Sequence, residues 1–409
     1  MPPLPFYIRK GETAVWSPQQ EKALDSVGRW LKTKDKPYYQ LAGFAGTGKT
    51  TLAKHLAATV QGRVYFAAYT GKAAHVLTKS GAENVSTIHK LIYNPKDRSQ
   101  QRLKDLQAER AQLLARNPVP ETLVKKVDAA IEFEKSNLAR PMFQLNGESL
   151  LYGAALLVVD EYSMIDEQMG EDLLSFECPI LALGDPGQLP PVNGSPFFKG
   201  KPDTLLTEIH RQAQDNPIIW MSKEVREGRA LRPGSYGDST VVAHRSLPRE
   251  ELGSMVLDTD QLLVGKNATR VSSNNRTREL LGRTSALPQA GDKLVCLRNN
   301  HELGLLNGQI WTAQESVLAE DRVALKIENE DCAIEVSSFP HYFHGNKPDY
   351  WEMKEAEHFD YGYALTVHKS QGSQWDNVLL FDEWYTRDRE KWLYTAITRA
   401  AENIDIVLM

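Results

Sequence analysis

The 409 residues carry 48 Lys and Arg against 53 Asp and Glu, a net charge of −5, and 41% of them are hydrophobic. That balance describes a globular chain with apolar mass for two or three cores, and it excludes collagen-like, mucin-like and wholly disordered classes. The slightly acidic charge excludes a histone-like sponge for nucleic acid but is compatible with a local basic groove.

The opening MPPLPFYIRKGE lacks the apolar stretch of a signal peptide, and the chain has no run of eighteen apolar residues. Neither a leader nor a membrane helix is therefore expected. Cys178, Cys296 and Cys332 are widely spaced, which suits a reducing compartment, so a cytoplasmic location is expected. Gln20, in Ser17-Pro18-Gln19-Gln20, starts a helix ahead of the first strand. Its amide offers a donor and an acceptor side by side, as an adenine edge requires, although an exposed helix residue is the commoner fate of such a Gln.

Apolar runs then alternate with helical stretches. Tyr38–Ala42, Arg63–Ala68, Ala154–Val159 and Pro179–Leu183 read as strands, and Gln261–Val264, Asn377–Phe381 and Ile404–Leu408 repeat the pattern later. Apolar strands separated by helices predict parallel sheets covered on both faces, in two tandem α/β units. Two segments depart from this pattern. Residues 97–137 lack glycine and hold eight Lys or Arg and seven Asp or Glu. Leu103, Leu106 and Leu113 before Pro118-Val119-Pro120, and Val124, Val127 and Ile131 after it, keep helical spacing, which predicts two antiparallel helices. In residues 310–350, Val323, Leu325, Ile327, Ile334 and Val336 alternate with polar residues, which predicts a small antiparallel β unit. Asn146-Gly147 is a tight-turn signal, so residues 140–150 read as a short hairpin with Phe143 before its turn.

Gly43-Phe44-Ala45-Gly46-Thr47-Gly48-Lys49-Thr50 matches GxxxxGK[ST] between a predicted strand and a predicted helix that begins at Thr51. Loop N–H groups of Gly43, Ala45, Gly46, Thr47, Gly48 and Thr51 and the helix N-terminus suit a triphosphate. Lys49 reaches its β and γ phosphates, and the Thr50 hydroxyl suits Mg²⁺. Asp160-Glu161 ends an apolar strand, at the sheet edge where ligands bind. There Asp160 suits Mg²⁺ through water, and Glu161 suits activation of an attacking water. The bland alternative for the pair is a cap on the following turn.

Further segments narrow the class. In order they are Tyr69-Thr70-Gly71-Lys72-Ala73-Ala74, Ser86-Thr87-Ile88-His89, Gly184-Asp185-Pro186-Gly187-Gln188, Ile209-His210-Arg211-Gln212, Thr366-Val367-His368-Lys369-Ser370-Gln371-Gly372-Ser373 and Tyr394-Thr395-Ala396-Ile397-Thr398-Arg399. With the phosphate loop and Asp160-Glu161, this set resembles the motifs of superfamily 1 DNA helicases of the RecD/Dda class, from Gln20 to Arg399.

The resemblance implies an α/β fold of two RecA-like P-loop motor domains in tandem, with ATP and Mg²⁺ in the cleft between them. Domain 1A would take residues 1–93 and 150–210, and an inserted 1B element 94–149, made of the helical arm and the hairpin. Domain 2A would take 211–309 and 353–409, and a small SH3-like β insertion 310–352. The resemblance further implies 5′→3′ unwinding by a monomer on single-stranded DNA and a duplex fork. Gln188 would sense the γ-phosphate, Arg211 and Arg399 would be arginine fingers, and Gly372 and Gln374 would lie near the nucleotide. Thr70, Lys72, His89, Thr366, His368 and Lys369 would line the single-strand groove, and Phe143 would stand at the fork, with Phe197 or Phe198 as its alternative. The arm's Arg102, Arg110, Arg116, Lys125 and Lys126 could meet duplex DNA or a protein partner, although its charge balance equally fits a solvated hairpin. A non-motor subunit that binds ATP and DNA, and an RNA helicase, are the competing functional readings.

Overall fold

The computed structural model describes residues 16–95, 101–116, 120–139, 143–191, 194–208, 216–300, 303–330, 332–344, 355–384 and 388–409. The chain divides into two compact units, His89–Tyr152 and the remainder.

In chain order the strands of the larger unit begin with β1 (Tyr38–Gly43), β2 (Val64–Ala68) and β3 (Val85–Thr87). The smaller unit holds β4 (Tyr93–Pro95) and β5 (Phe143–Leu145). The larger unit resumes with β6 (Leu156–Asp160), β7 (Ile180–Gly184) and β8 (Thr204–Leu206). Strands β1–β3 and β6–β8 form one parallel sheet in the order β3-β2-β6-β7-β1-β8. Strands β6 and β7 are buried almost throughout, as expected where helices cover both faces. Leu41, Leu52, Leu56, Phe66, Leu156 and Leu181 share its core.

The second sheet uses β9 (Gly234–Tyr236), β10 (Ser239–Ala243), β11 (Gln261–Val264), β17 (Ala364–Thr366), β18 (Trp375–Asp382) and β19 (Ala400–Leu408), in the order β17-β11-β18-β19-β10-β9. It is parallel except for the β9–β10 pair at its edge. Its core gathers Ile218, Val241, Leu263, Leu380, Trp392 and Ile406. These two sheets give the tandem α/β architecture.

A third, antiparallel sheet has the order β15-β14-β13-β12-β16, from β12 (Lys293–Cys296), β13 (Ile310–Ala319), β14 (Arg322–Glu328), β15 (Ala333–Ser338) and β16 (Phe359–Tyr361). The alternation of Val323, Leu325 and Ile327 places them in its core with Trp311 and Phe359. The sheet is wider than the segment 310–350, because β12 and β16 add to it. Both are too short to announce themselves by periodicity.

In the smaller unit, helices Gln101–Leu114 and Glu121–Ala139 stand where the helical pair is predicted. Leu113, Val124, Val127 and Ile131 bury together with Leu106 against them. The hairpin over residues 140–150 is a misreading. Strand β5 pairs antiparallel with β4, the strand before the helical pair, with Phe143 opposite Pro95 and Leu145 opposite Tyr93. The Asn146 side-chain oxygen accepts the Glu148 N–H at 3.0 Å, so Asn146-Gly147 turns the chain toward Leu150 without starting a return strand.

Candidate active site

Strand β1 ends at Gly43, and the helix Lys49–Ala57 starts six residues later. Gly46 and Gly48 between them have φ of +75° and +78°, a left-handed backbone that glycine adopts without steric cost. The Lys49 Nζ donates to the carbonyls of Gly43 (2.6 Å) and Phe44 (3.1 Å), and the Thr47 Oγ1 to Phe44 (2.8 Å). Thr51 is half-buried in the helix that follows. Gln20 braces the loop from behind. Its Nε2 donates to the Thr47 carbonyl at 3.1 Å, and its Oε1 accepts the Ser17 N–H in a capping box at the start of helix Pro18–Thr33. Both ends of the amide thus have partners within the chain, so Gln20 sits against the phosphate loop as an internal brace.

Strands β6 and β7 deliver the acidic groups to the same C-terminal edge of the sheet. The Thr50 Oγ1 lies 3.5 Å from the Asp160 Oδ2, and the Asp160 Oδ1 accepts the Glu161 N–H at 2.9 Å. Glu161 has φ of +58°, an uncommon conformation for a residue with a side chain. Burial raises the pKa of both carboxyls. The Lys49 charge is the largest opposing influence on Asp160, and the Arg399 charge on Glu161. Past β7, the Asp185 Oδ1 accepts the Gly187 N–H (2.9 Å), while Gln188 is buried and its Oε1 has no hydrogen-bond partner among the described residues.

The second sheet reaches this edge through the helix Arg389–Ile397 and the turn after it. Arg399 is 6% exposed. Its Nε and Nη1 donate to the carbonyls of Thr395 and Ser373, and its Nη2 to the Thr398 hydroxyl, all within 3.1–3.2 Å. The Leu189 N–H donates to the Thr395 Oγ1 (3.0 Å), and the Gln371 Nε2 to the Leu189 carbonyl (3.2 Å). The Tyr394 hydroxyl donates to the Asp185 Oδ2 (2.6 Å) and accepts the Ala45 N–H (3.1 Å). Lys49, Thr50, Asp160, Glu161, Gln188 and Arg399 therefore belong to one neighbourhood. His210 and Arg211 lie outside the described residues.

The other singled-out residues fall into two groups. Thr70 caps the helix Gly71–Lys79 by accepting the Ala73 N–H at 3.1 Å. A Cβ on Gly372 would come within 2.9 Å of the Thr70 Oγ1, so Gly372 packs directly against it. The Lys72 Nζ stands 4.4 Å over the Trp375 ring. Burial, then the nearby Arg399 charge, lowers its pKa to about 8 against the pull of Glu330. Lys72, Lys79, Lys293, Gln374 and Trp375 line a cavity of about 670 Å³, and none of the phosphate-loop residues lines it. Gln374 thus shares a cavity with Lys72. Thr366 accepts the Lys369 N–H, and the His368 ring lies 5.4 Å from that of Trp384. Burial lowers the pKa of both His368 and Lys369.

His89 and Phe143 belong to the smaller unit. The His89 ring lies 5.7 Å from Tyr93, and the Phe143 side chain lies outside what is described. Phe197 and Phe198 pack with Tyr38, and Phe198 also with Tyr162, in one aromatic cluster. Phe198 is buried in this cluster and Phe197 half-buried. Tyr394 and Asp185 received no role from the sequence although each lies inside a motif, and Arg226, which stacks on Phe44, carries no motif signal.

A family model described as an AAA domain matches residues 16–244, more than half of the chain, and one described as a UvrD-like helicase C-terminal domain matches residues 361–407. The chain is 27% identical over 398 residues to the ATP-dependent RecD2 DNA helicase of Deinococcus radiodurans, covering 88% of this chain and 46% of that protein. It is 24% identical over 295 residues to the conjugal transfer protein TraA of Agrobacterium fabrum, covering 64% of this chain and 25% of that one. The chain thus spans less than half the length of these curated relatives. Its fold is that of two Pif1 structures, each covering 96% of this chain and 92% of the other. One shows two coordinating Pif1 helicases at forked duplex DNA (TM-score 0.55, 17% identity), and the other Bacteroides Pif1 with ADP-AlF3 and single-stranded DNA (TM-score 0.54, 16% identity). The chain belongs to the AAA-domain family of that model, and with its UvrD-like helicase C-terminal domain it is similar to the superfamily 1 helicases of the RecD class.

Proposed function

We propose that this chain is an ATP-driven motor that moves 5′→3′ along single-stranded DNA and unwinds duplex at a fork. The observation that carries the reading is the meeting of the two sheets at one edge, where Tyr394 and Thr395, on the helix that leads to the buried Arg399, hydrogen-bond Asp185 and Leu189 beside the phosphate loop and Asp160-Glu161. Chemistry on one sheet then depends on a cation supplied by the other, which couples hydrolysis to domain movement.

In this reading the first and second parallel sheets are motor domains 1A (1–93 and 150–210) and 2A (211–309 and 353–409). Residues 94–149 are the 1B element and 310–352 the SH3-like insertion. Gly43, Ala45, Gly46, Thr47, Gly48 and Thr51 hold the phosphates, with Gln20 and Gly372 supporting the site. Lys49 neutralises the β and γ phosphates, Glu161 orients and deprotonates water, Gln188 answers to the γ-phosphate, and Arg399 and Arg211 stabilise its transfer. The pair Thr50 and Asp160 fits Mg²⁺, since a hydroxyl beside a desolvated carboxylate is a hard-oxygen donor set that gains from a cation. Bound there, the ion would supply charge neutralisation at the phosphates. Thr70, Lys72, His89, Thr366, His368 and Lys369 serve the single strand, Gln374 lies near the nucleotide, and Phe143 serves the fork.

ATP turnover measured with single-stranded DNA, with RNA and with neither tests this function. Strong stimulation by DNA alone is expected, and equal turnover in all three would overturn it.

The Lys72 environment adds a specific expectation. Its ammonium displaces counterions from phosphate, so DNA affinity falls as salt rises. It also loses its proton near pH 8, so affinity should fall between about pH 7 and about pH 9. Lys72→Arg keeps its charge over that range and should flatten the fall. A wild-type affinity that is already flat there would exclude Lys72 from the phosphate contacts.

A further inference from the structure

The phosphate loop is tied to the second sheet at two consecutive residues. Phe44 packs against the core of that sheet, and the Arg226 guanidinium, at the end of helix Pro217–Arg226, stacks 3.5 Å above its ring. One residue on, the Ala45 N–H is taken by the Tyr394 hydroxyl. The proton of that hydroxyl goes to Asp185, so only lone pairs face the loop.

We propose that Tyr394 and Arg226 are positioning residues through which the second motor domain holds the phosphate loop at Phe44 and Ala45, making nucleotide affinity depend on where that domain stands. The proposal rests on the reading of the loop as an ATP site. A phosphate that approaches the Ala45 N–H competes with the Tyr394 oxygen for the same donor, and that oxygen offers an anion no proton in return. The phenol stays neutral, because burial and the Asp185 carboxylate raise its pKa. Binding of DNA across both domains shifts the second sheet, and with it Tyr394 and Arg226, away from Phe44 and Ala45. The N–H is then free for the nucleotide. Coupling of this kind is reciprocal, so nucleotide binding loosens the same hold.

The test is equilibrium binding of Mg-ADP and of a non-hydrolysable ATP analogue to the full chain, with and without oligo-dT. Tyr394→Phe keeps the ring in its core and removes only the hydroxyl. Its affinity without DNA should tighten about 2- to 10-fold, the range of one net hydrogen bond. With saturating oligo-dT it should stay within about twofold of wild type, because the contact is already released. Arg226→Gln, which removes the cation over Phe44, should shift the DNA-free affinity in the same direction and serves if Tyr394→Phe does not fold. An equal change with and without DNA, or no change in either variant, would overturn the proposal. Lys49→Ala separates this outcome from failure of the ATP reading. If that variant still binds nucleotide normally, the loop is not the site at all, whatever Tyr394 does.

Discussion

Lys49→Ala should lower ATP turnover by about 10³-fold or more, the loss expected when a fixed charge is removed from a transferring phosphoryl group. Its ammonium is already held over the mouth of the loop by the Gly43 and Phe44 carbonyls, so it is positioned before any phosphate arrives. The substitution spares the fold, because Lys49 is the first residue of its helix and Ala is the best helix former. The thermal midpoint should therefore stay near that of the wild type while turnover disappears. Undiminished hydrolysis in a folded Lys49→Ala protein would remove the loop from the mechanism.

Glu161→Gln should separate binding from chemistry. The amide keeps the shape of the carboxylate but cannot take a proton from water, and loss of a general base costs about 10²- to 10⁴-fold in rate. Glu161 is half-buried just past the strand end, and desolvation opposes its charge. A neutral amide there relieves a buried charge, so stability should hold or rise. Nucleotide affinity should persist while turnover stalls, seen as retained ATP in a filter-binding measurement with little release of phosphate. Equal loss of binding and turnover would make Glu161 a structural residue.

The two α/β units were legible because their strands are apolar runs ended by Gly, Asp or Thr. Tyr38–Gly43 and Gln261–Val264 match their expected spans to within a residue. The phosphate loop and Asp160-Glu161 were legible because each demands particular residue types at a particular spacing, and the structure brings them to one sheet edge. The pairing of β4 with β5 was not, because Asn146-Gly147 is a local signal and the partner strand lies beyond the helical pair. Nor did period-two alternation reveal that β12 and β16, each of three or four residues, widen the third sheet. The role of Tyr394 was hidden for a different reason. Its two partners, Asp185 and Ala45, sit on another sheet, and no sequence pattern relates residues so far apart. The contacts of Gln20 with Thr47 and Ser17 were not legible either, because they are set by the packing of its helix against the loop.

Strand displacement on duplexes carrying either a 5′ or a 3′ single-stranded tail tests the motor reading most directly. With ATP and Mg²⁺, the chain should displace the strand of the 5′-tailed duplex and leave the 3′-tailed one paired, and without ATP it should displace neither. No displacement from either duplex by a protein that still hydrolyses ATP would contradict the helicase reading, and displacement confined to the 3′-tailed duplex would contradict its polarity.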